Sequence, residues 1–398
     1  MAVTSEQKLR TALLLFLMGM LVCAASCSSH RIQSPIAAPS TATPQAHWSA
    51  RPLAPDHSVT QIEVAGSHTE IGRLLGHWYR DQGCLSRRLT AGEQQTARAL
   101  LAFYGDVAPN RLQQLRGLYA AFDLNLDDAS DGIHVWDEEG IRILLPGLAE
   151  RHSCSVIATR PEMATDGHGR LGRNHDWPAA LTDVLLVFTA PETGHPTVVM
   201  TRRMPGFAAS DGMNAAGLAS GLASVRNVGY ASPAGPALVS TAAYRLVLEQ
   251  CANVAEAVAM LRRLPVAFIN ASPDELVSHI LLADRSGASA VVEFLPEGIV
   301  ASQTDTPYQV MTNSHWAGPA DQPSCPRYNA AAAGLEGVRG ALDEAPMMKI
   351  IRSIHGSTQW TIVYDLQDLS LQLSLPGDGF SHVYEFSLAD MLARLGAQ

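Results

Sequence analysis

Beyond residue 153 the chain changes texture, and the order of its strand-like and helical segments restricts its fold more than any other feature. Short β-like runs occupy about 154–160, 170–176, 183–190 and 197–203, with further segments around 207–211 and 217–222. Two helical patterns come next, at about 237–251 and 253–264, ending before Pro265. Strand-like runs return at about 277–284, 288–294, 298–303 and 307–312. A helical stretch covers about 327–342, and runs at 360–366 and 369–375 close the series. Strands, then helices, then strands predict an α+β layered domain rather than alternating βαβ units.

The preceding stretch reads differently. Val59 to Ala65 alternates as a strand. A helix then opens at Ser67 with Glu70 three residues on, a capping-box pattern. Helical patterns recur at about 92–104 and 109–122, so 59–153 reads as mostly helical, without an obvious nucleophile.

Further upstream, Lys8 and Arg10 precede an uncharged, mostly apolar stretch from Thr11 to Ser26. It is short for a membrane span and has the form of a signal peptide. Ala24-Ala25-Ser26 before Cys27 resembles a bacterial lipobox, with alanine where leucine is usual. In that motif the cysteine is lipidated and becomes the mature N-terminus; a plain signal peptide cut nearby is the other reading. Five prolines among Ser, Thr and Ala (Pro35, Pro39, Pro44, Pro52 and Pro55) make a flexible tether. The expected organisation is a signal over 1–26, a lipidated, disordered tether over 27–58, a mostly helical segment over 59–153 and the layered domain over 154–398. The expected location is the outer membrane facing the periplasm, held by the lipid anchor alone.

Composition removes several functions. The 398 residues are 47% hydrophobic and carry a net charge of −10, with no basic patch to meet nucleic acid. A Walker loop and a GxGxxG are both absent, which removes the common nucleotide-binding readings. Of the six cysteines, Cys23 lies in the signal and Cys27 is the anchor. Cys251 falls in an amphipathic helix as a buried free thiol, while a Cys84–Cys325 disulfide stays open in an exported chain. No pair has zinc-ligand spacing and there is no His-Glu-x-x-His, so neither metal nor cofactor is expected.

Cys154 opens the first β-like run, in Ser153-Cys154-Ser155-Val156-Ile157-Ala158. A turn at Asp166-Gly167 leads back through Gly172-Arg173-Asn174-His175-Asp176-Trp177. This sets an arginine and a carboxylate beside a thiol. A thiol of pKa roughly 8.5 is made more acidic by a nearby cation. If Cys154 becomes a chain terminus, its α-amino group, of reference pKa near 7.7–8.0, can serve as the base. His175 and His315 offer a rival arrangement, a papain-like Cys–His dyad that needs no cleavage.

From about residue 60 to 390 the chain resembles the N-terminal-nucleophile cysteine amide hydrolases. The nearest group is that of acyl-coenzyme A:6-aminopenicillanic acid acyltransferase; choloylglycine hydrolases, penicillin V acylases and acid ceramidase are more distant. GSHTEIGRLLGH and LQQLRGLYAAFDLNLDD look like the group's pro-segment. CSVIA…DG…GRNHDW looks like the nucleophile strand and its returning partner. GMNAAGLASG, VMTNSHW and QWTIVYDL resemble the family's hairpin, oxyanion segment and penultimate strand.

The resemblance implies a four-layer αββα sandwich of two stacked, mainly antiparallel sheets. It makes Cys154 the nucleophile, Arg173 its cation, Asp176 the group that orients the amine and Asn313 the oxyanion donor. The family has an asparagine near 217–225, where this chain has Ser224. Asn214 fits the hairpin pattern, with a turn role favoured. Arg327 resembles the family's late arginine, binding a carboxylate or supporting the site. Autoproteolysis at Ser153–Cys154 is also implied, giving an α/β heterodimer. The substrate class is a small-molecule N-acyl linear amide. Transfer of the acyl group to an amine and a non-catalytic surface lipoprotein are the competing readings. The residues around Met204-Pro205-Gly206-Phe207 and the 226–236 loop are the candidate acyl pocket.

Overall fold

The computed structural model describes residues 46–53, 59–134, 154–177, 184–202, 206–268, 276–317 and 325–395. Cys23, Cys27, Ser153, Met204 and Pro205 lie outside these residues, as do the signal segment and most of the tether.

Two large sheets carry the fold. The nine-stranded sheet runs, in spatial order, His47–Pro52, Val59–Gly66, Val184–Pro191, Thr197–Arg202, Asp211–Asn214, Ala219–Arg226, Leu276–Ala283, Ser289–Leu295 and Gly298–Ser302. The six-stranded sheet runs Tyr308–Met311, Ser155–Thr159, Arg170–Asp176, Thr358–Asp365, Ser370–Ser374 and Tyr384–Ser387. Within them every pairing is antiparallel except Val59–Gly66 with Val184–Pro191.

Strand alternation explains the layers, because successive side chains point to opposite faces. Val156 and Ala158 join Leu186, Phe188 and Ala190 in the core between the sheets. Ile157 points the other way, onto helices Pro326–Gly337 and Glu344–Ser353. Leu185 and Val187 likewise face helices Ser240–Gln250 and Val254–Leu261. Strands apolar on both faces need cover on both faces, and the four-layer αββα sandwich supplies it.

Several sequence boundaries move. The segments expected at 207–211 and 217–222 are strands Asp211–Asn214 and Ala219–Arg226. They meet at a turn in which Gly217 adopts φ +81°, a left-handed conformation that suits glycine. Helix Glu344–Ser353 adds to the expected helical stretch over 327–342; its Pro346 sits in the first turn, where the missing N–H has no helical partner to lose.

The tether boundary is corrected. His47–Pro52 lies within 27–58 yet pairs residue for residue with Val59–Gly66, and Trp48 packs against the core. Pro52 is tolerated because this is the outermost strand. The 59–134 stretch is also less purely helical than its periodicity implied, since Leu85–Arg88 and Asp131–His134 pair as a small ladder. Its helix His68–Asp81 does carry the Ser67–Glu70 capping box. That helix crosses Pro109–Ala120 closely enough that a methyl group on Gly72 or Gly117 would overlap the carbonyl of Gln114 or Thr69. Residues 40–398 cluster as one compact unit, so the described 59–134 stretch and the layered domain are built together.

Candidate active site

Register brings the site together. Strand Ser155–Thr159 pairs antiparallel with Arg170–Asp176, setting Val156 opposite Arg173 and Ser155 opposite Asn174. Cys154 therefore lies at the same end of the pair as Asp176. The Cys154 thiol donates to the Asp176 carbonyl at 3.8 Å, and Arg173 Nη2 lies 3.9 Å from the sulfur. Cys154, Arg173 and Asp176 are all buried.

Arg173 is itself tightly held. Its Nε donates to the Leu222 carbonyl at 2.9 Å and its Nη1 to the Asp211 carboxylate. Trp360 Nε1 and Tyr364 Oη donate to the same carboxylate at 3.0 and 2.7 Å. A methyl at Gly221 would crowd Val156 and the Arg173 side chain, so glycine gives the arginine its passage between the sheets. The Asp176 carboxylate accepts from the Thr358 hydroxyl and, at 3.2 Å, from Gly356 N.

Asn313 and Arg327 complete the set. Arg327 donates to the Cys154 carbonyl at 2.7 Å, to Ser155 Oγ at 2.8 Å and to Asn313 Oδ1 at 3.0 Å. It thus supports the site, one of its two expected roles. Asn313 Nδ2 donates to the Ser224 carbonyl at 2.6 Å. Ser224 accordingly touches the site through its backbone.

Asn214 takes the favoured turn role, and the acyl-pocket expectation needs correction. Asn214 stands apart from the thiol: its amide donates to the Leu248 and Cys251 carbonyls at 2.8 and 2.7 Å while its oxygen caps the turn at Ala216 and Leu218. Phe207 packs under Arg111 at 5.0 Å and near Tyr79, toward the N-terminal helices rather than into an acyl pocket. In the 226–236 loop, Tyr230 joins Phe268 and Phe294 on the helix-covered face of the nine-stranded sheet.

The two histidines of the rival reading are engaged with other groups. His315 engages Glu293 through Nδ1 and the Arg226 carbonyl through Nε2. His175 Nδ1 faces Arg173 Nη2 at 2.7 Å, and the ring stacks on Trp360 at 3.8 Å. Since the guanidinium only donates, His175 Nδ1 accepts and the ring is neutral.

Thiol acidity also departs from expectation. Arg173 favours the thiolate, but burial outweighs it and pushes the Cys154 thiol above its ordinary value in the uncut chain, with Asp176 adding to the rise.

Cys84, Cys154, Cys251 and Cys325 are all free thiols, and Cys251 is buried as expected. Among the described residues, Asp166, His168 and Asp365 form the one group with metal-ligand geometry. Arg170 already occupies it, pairing with Asp166 and reaching Glu344 and Asp365 at 3.0 Å each, so the chain supplies its own cation there. No helix among the described residues is long and apolar enough to cross a membrane.

Asp211, Trp360 and Tyr364 are the site residues that the sequence reading missed. The available signal was an acidic residue inside an otherwise apolar strand region, together with the alternating aromatics of QWTIVYDL.

Residues 163–333 match the family model of acyl-coenzyme A:6-aminopenicillanic acid acyl-transferase. The resemblance seen in the sequence is thereby shown over this stretch, which holds Arg173, Asp176, Asn313 and Arg327. Among solved structures, penicillin V acylase from Agrobacterium tumefaciens is 20% identical, with TM-score 0.44, covering 59% of this chain and 86% of that one. A mutant of conjugated bile acid hydrolase from Clostridium perfringens is 16% identical, with TM-score 0.44, covering 60% and 93%. No curated protein matches the chain.

Proposed function

We propose that this chain, whose 163–333 stretch carries the acyl-transferase family's pattern, is a cysteine N-terminal-nucleophile amide hydrolase. It breaks its own Ser153–Cys154 bond and then cleaves the linear amide of an N-acyl substrate through a thioester on Cys154. The observation that carries this reading is the buried thiol set against Arg173 and the Asp176 carbonyl, with Arg327 tying the Cys154 carbonyl to Asn313.

Once freed, the Cys154 α-amine takes the thiol proton, and the thiolate attacks the substrate carbonyl carbon. Arg173 offsets the charge on sulfur, and the Asp176 carboxylate orients the α-ammonium. Asn313 Nδ2 donates to the oxyanion, a contact whose loss typically costs about 10²–10³ in rate. As the tetrahedral intermediate collapses, the C–N bond breaks and the α-ammonium protonates the departing amine. Water then attacks the thioester, releasing the carboxylic acid and restoring the thiol. In the uncut chain the Cys154 nitrogen is an amide and supplies no base, which fits a thiol held in its neutral form.

The test combines N-terminal sequencing and intact mass with a panel of N-acyl substrates that includes penicillin V and a glycine-conjugated bile acid. Two chains, the larger beginning at Cys154, and turnover abolished by Cys154→Ala are expected. An active chain that stays uncut would sink the self-cleavage step. Turnover unchanged in Cys154→Ala would sink the mechanism and favour a binding role. A second reading, acyl transfer, is favoured by the description of the matched family; an amine acceptor that diverts product from acid to amide would establish it. The proposal includes export and lipidation at Cys27, tested by release of Cys27→Ala from the membrane fraction.

A further inference from the structure

The segment that carries Asn313 has no regular structure, yet a buried carboxylate fixes it from the opposite sheet. Residues 312–317 come directly after strand Tyr308–Met311. Glu293, on strand Ser289–Leu295, accepts from His315 Nδ1 at 2.9 Å, Trp316 N at 2.9 Å and Ala317 N at 2.6 Å. His279, on the adjacent strand, meets the Thr312 carbonyl through Nε2 at 2.8 Å, with its Nδ1 3.5 Å from the same carboxylate. Glu293 and His279 are fully buried, and the proposed reaction uses neither.

The partners of His315 fix its protonation. One ring nitrogen faces a carboxylate and the other the Arg226 carbonyl at 2.8 Å. Both partners only accept, so both nitrogens must donate, and the ring is an imidazolium. We propose that Glu293 and His315 form a buried ion pair that acts as a positioning device for Asn313, holding its amide where the oxyanion develops.

The electrostatics agree. Burial pulls His315 down, but the Glu293 hydrogen bond and the Arg226 carbonyl outweigh it and raise the group above its ordinary value. Burial pushes Glu293 up, yet donors from His315, Ala317 and Trp316, with His279 alongside, hold it well below the usual carboxylate range. Among the described residues, the charged or titratable groups near the pair and its segment include His279, the exposed Arg226, Cys325, whose sulfur accepts from the Thr312 hydroxyl, and Arg327, which holds Asn313 Oδ1.

This inference rests on the reading of Asn313 as the oxyanion donor, and its test separates the two. Long-range ¹H–¹⁵N NMR of the full chain labelled at histidine, with His315 assigned through His315→Asn, reads the charge directly. Both ring nitrogens protonated at pH 7 is expected; a neutral ring overturns the pair, whatever the substrate. A second arm uses any N-acyl substrate that the wild type turns over. There Glu293→Gln should lower kcat about 10–100-fold, less than the loss of a whole oxyanion donor, with KM within about twofold, and Glu293→Asp should recover part of the loss. A folded Glu293→Gln chain with wild-type kcat overturns the positioning role. If that variant does not fold, the wild-type Asn313 side-chain amide resonance takes its place: it must move as His315 titrates, and a resonance that stays put overturns the role. Failure of every N-acyl substrate with the wild type would count against the proposed function, while the charge and amide measurements still decide the ion pair.

Discussion

Arg173 gives one terminal nitrogen to the Asp211 carboxylate and turns the other toward the Cys154 sulfur, 3.9 Å away. The cation that would face a thiolate is thus aimed by an acid from the opposite sheet. Both members of the pair are fully buried. Removing one charge of such a pair strands the other and typically costs about 3–5 kcal/mol. Asp211→Asn should therefore lower unfolding free energy by about that amount, measured by urea denaturation, and reduce any turnover that depends on Cys154. A variant as stable as the wild type would show that Arg173 finds another partner.

The raised thiol carries a pH signature. Because burial lifts Cys154 in the uncut chain, its thiolate is scarce at neutral pH and appears only as pH climbs past the ordinary thiol range. Iodoacetamide labelling of precursor, followed by mass, should be slow at pH 7 and accelerate on the alkaline side. Fast labelling at pH 7 would mean that Arg173 dominates over burial.

Glu293 makes the opposite prediction, on the acid side. Its folded value lies below its unfolded one, so its contribution is complete above the unfolded value of about 4.3. It is lost as pH falls from there toward the lower folded value. Glu293→Gln should flatten this part of the stability–pH curve in urea titrations between about pH 5 and 2. Parallel curves for variant and wild type would contradict it.

The N-terminal helices are fastened to the layered domain by a buried charge contact. Arg111 Nη2 donates to Glu249 Oε2 at 2.8 Å, and Glu249 also holds Arg245 at 2.8 Å. In chains cut at 153, Arg111→Ala should let the two pieces separate at a lower urea concentration, seen by size-exclusion chromatography. Unchanged co-elution at all concentrations would assign the hold to other contacts.

Gly117→Ala tests the helix crossing. The added methyl would meet the Thr69 carbonyl, and overpacking of this kind typically costs about 1–3 kcal/mol. A Tm lowered by several degrees is expected in a thermal scan; no change would mean that the helices slide apart freely.

Much of the site was legible because it depends on register. Cys154, Arg173 and Asp176 sit on two sequential strands joined by a turn, so antiparallel pairing brings them to one end of the pair. The family pattern added Asn313 and Arg327. Glu293 and His279 were not legible, and Asp211 was visible only as an acid without a partner, because each acts across the gap between the two sheets. No periodicity within a strand records what faces it from the opposite layer. Asn214 shows the converse: a polar residue in a family motif can serve only to close a turn. The His47–Pro52 strand was hidden by the prolines around it, which dominate composition but not the six residues that pair.

Val59–Gly66 lies between His47–Pro52 and Val184–Pro191 in the large sheet. A fragment expressed from Cys154 would lack this donor strand. Its Val184–Pro191 strand, buried on both faces in the intact chain, would become an open, apolar edge able to template pairing with other copies. In the intact chain Val59–Gly66 covers this edge, and a chain begun at Cys154 should be recovered as insoluble material.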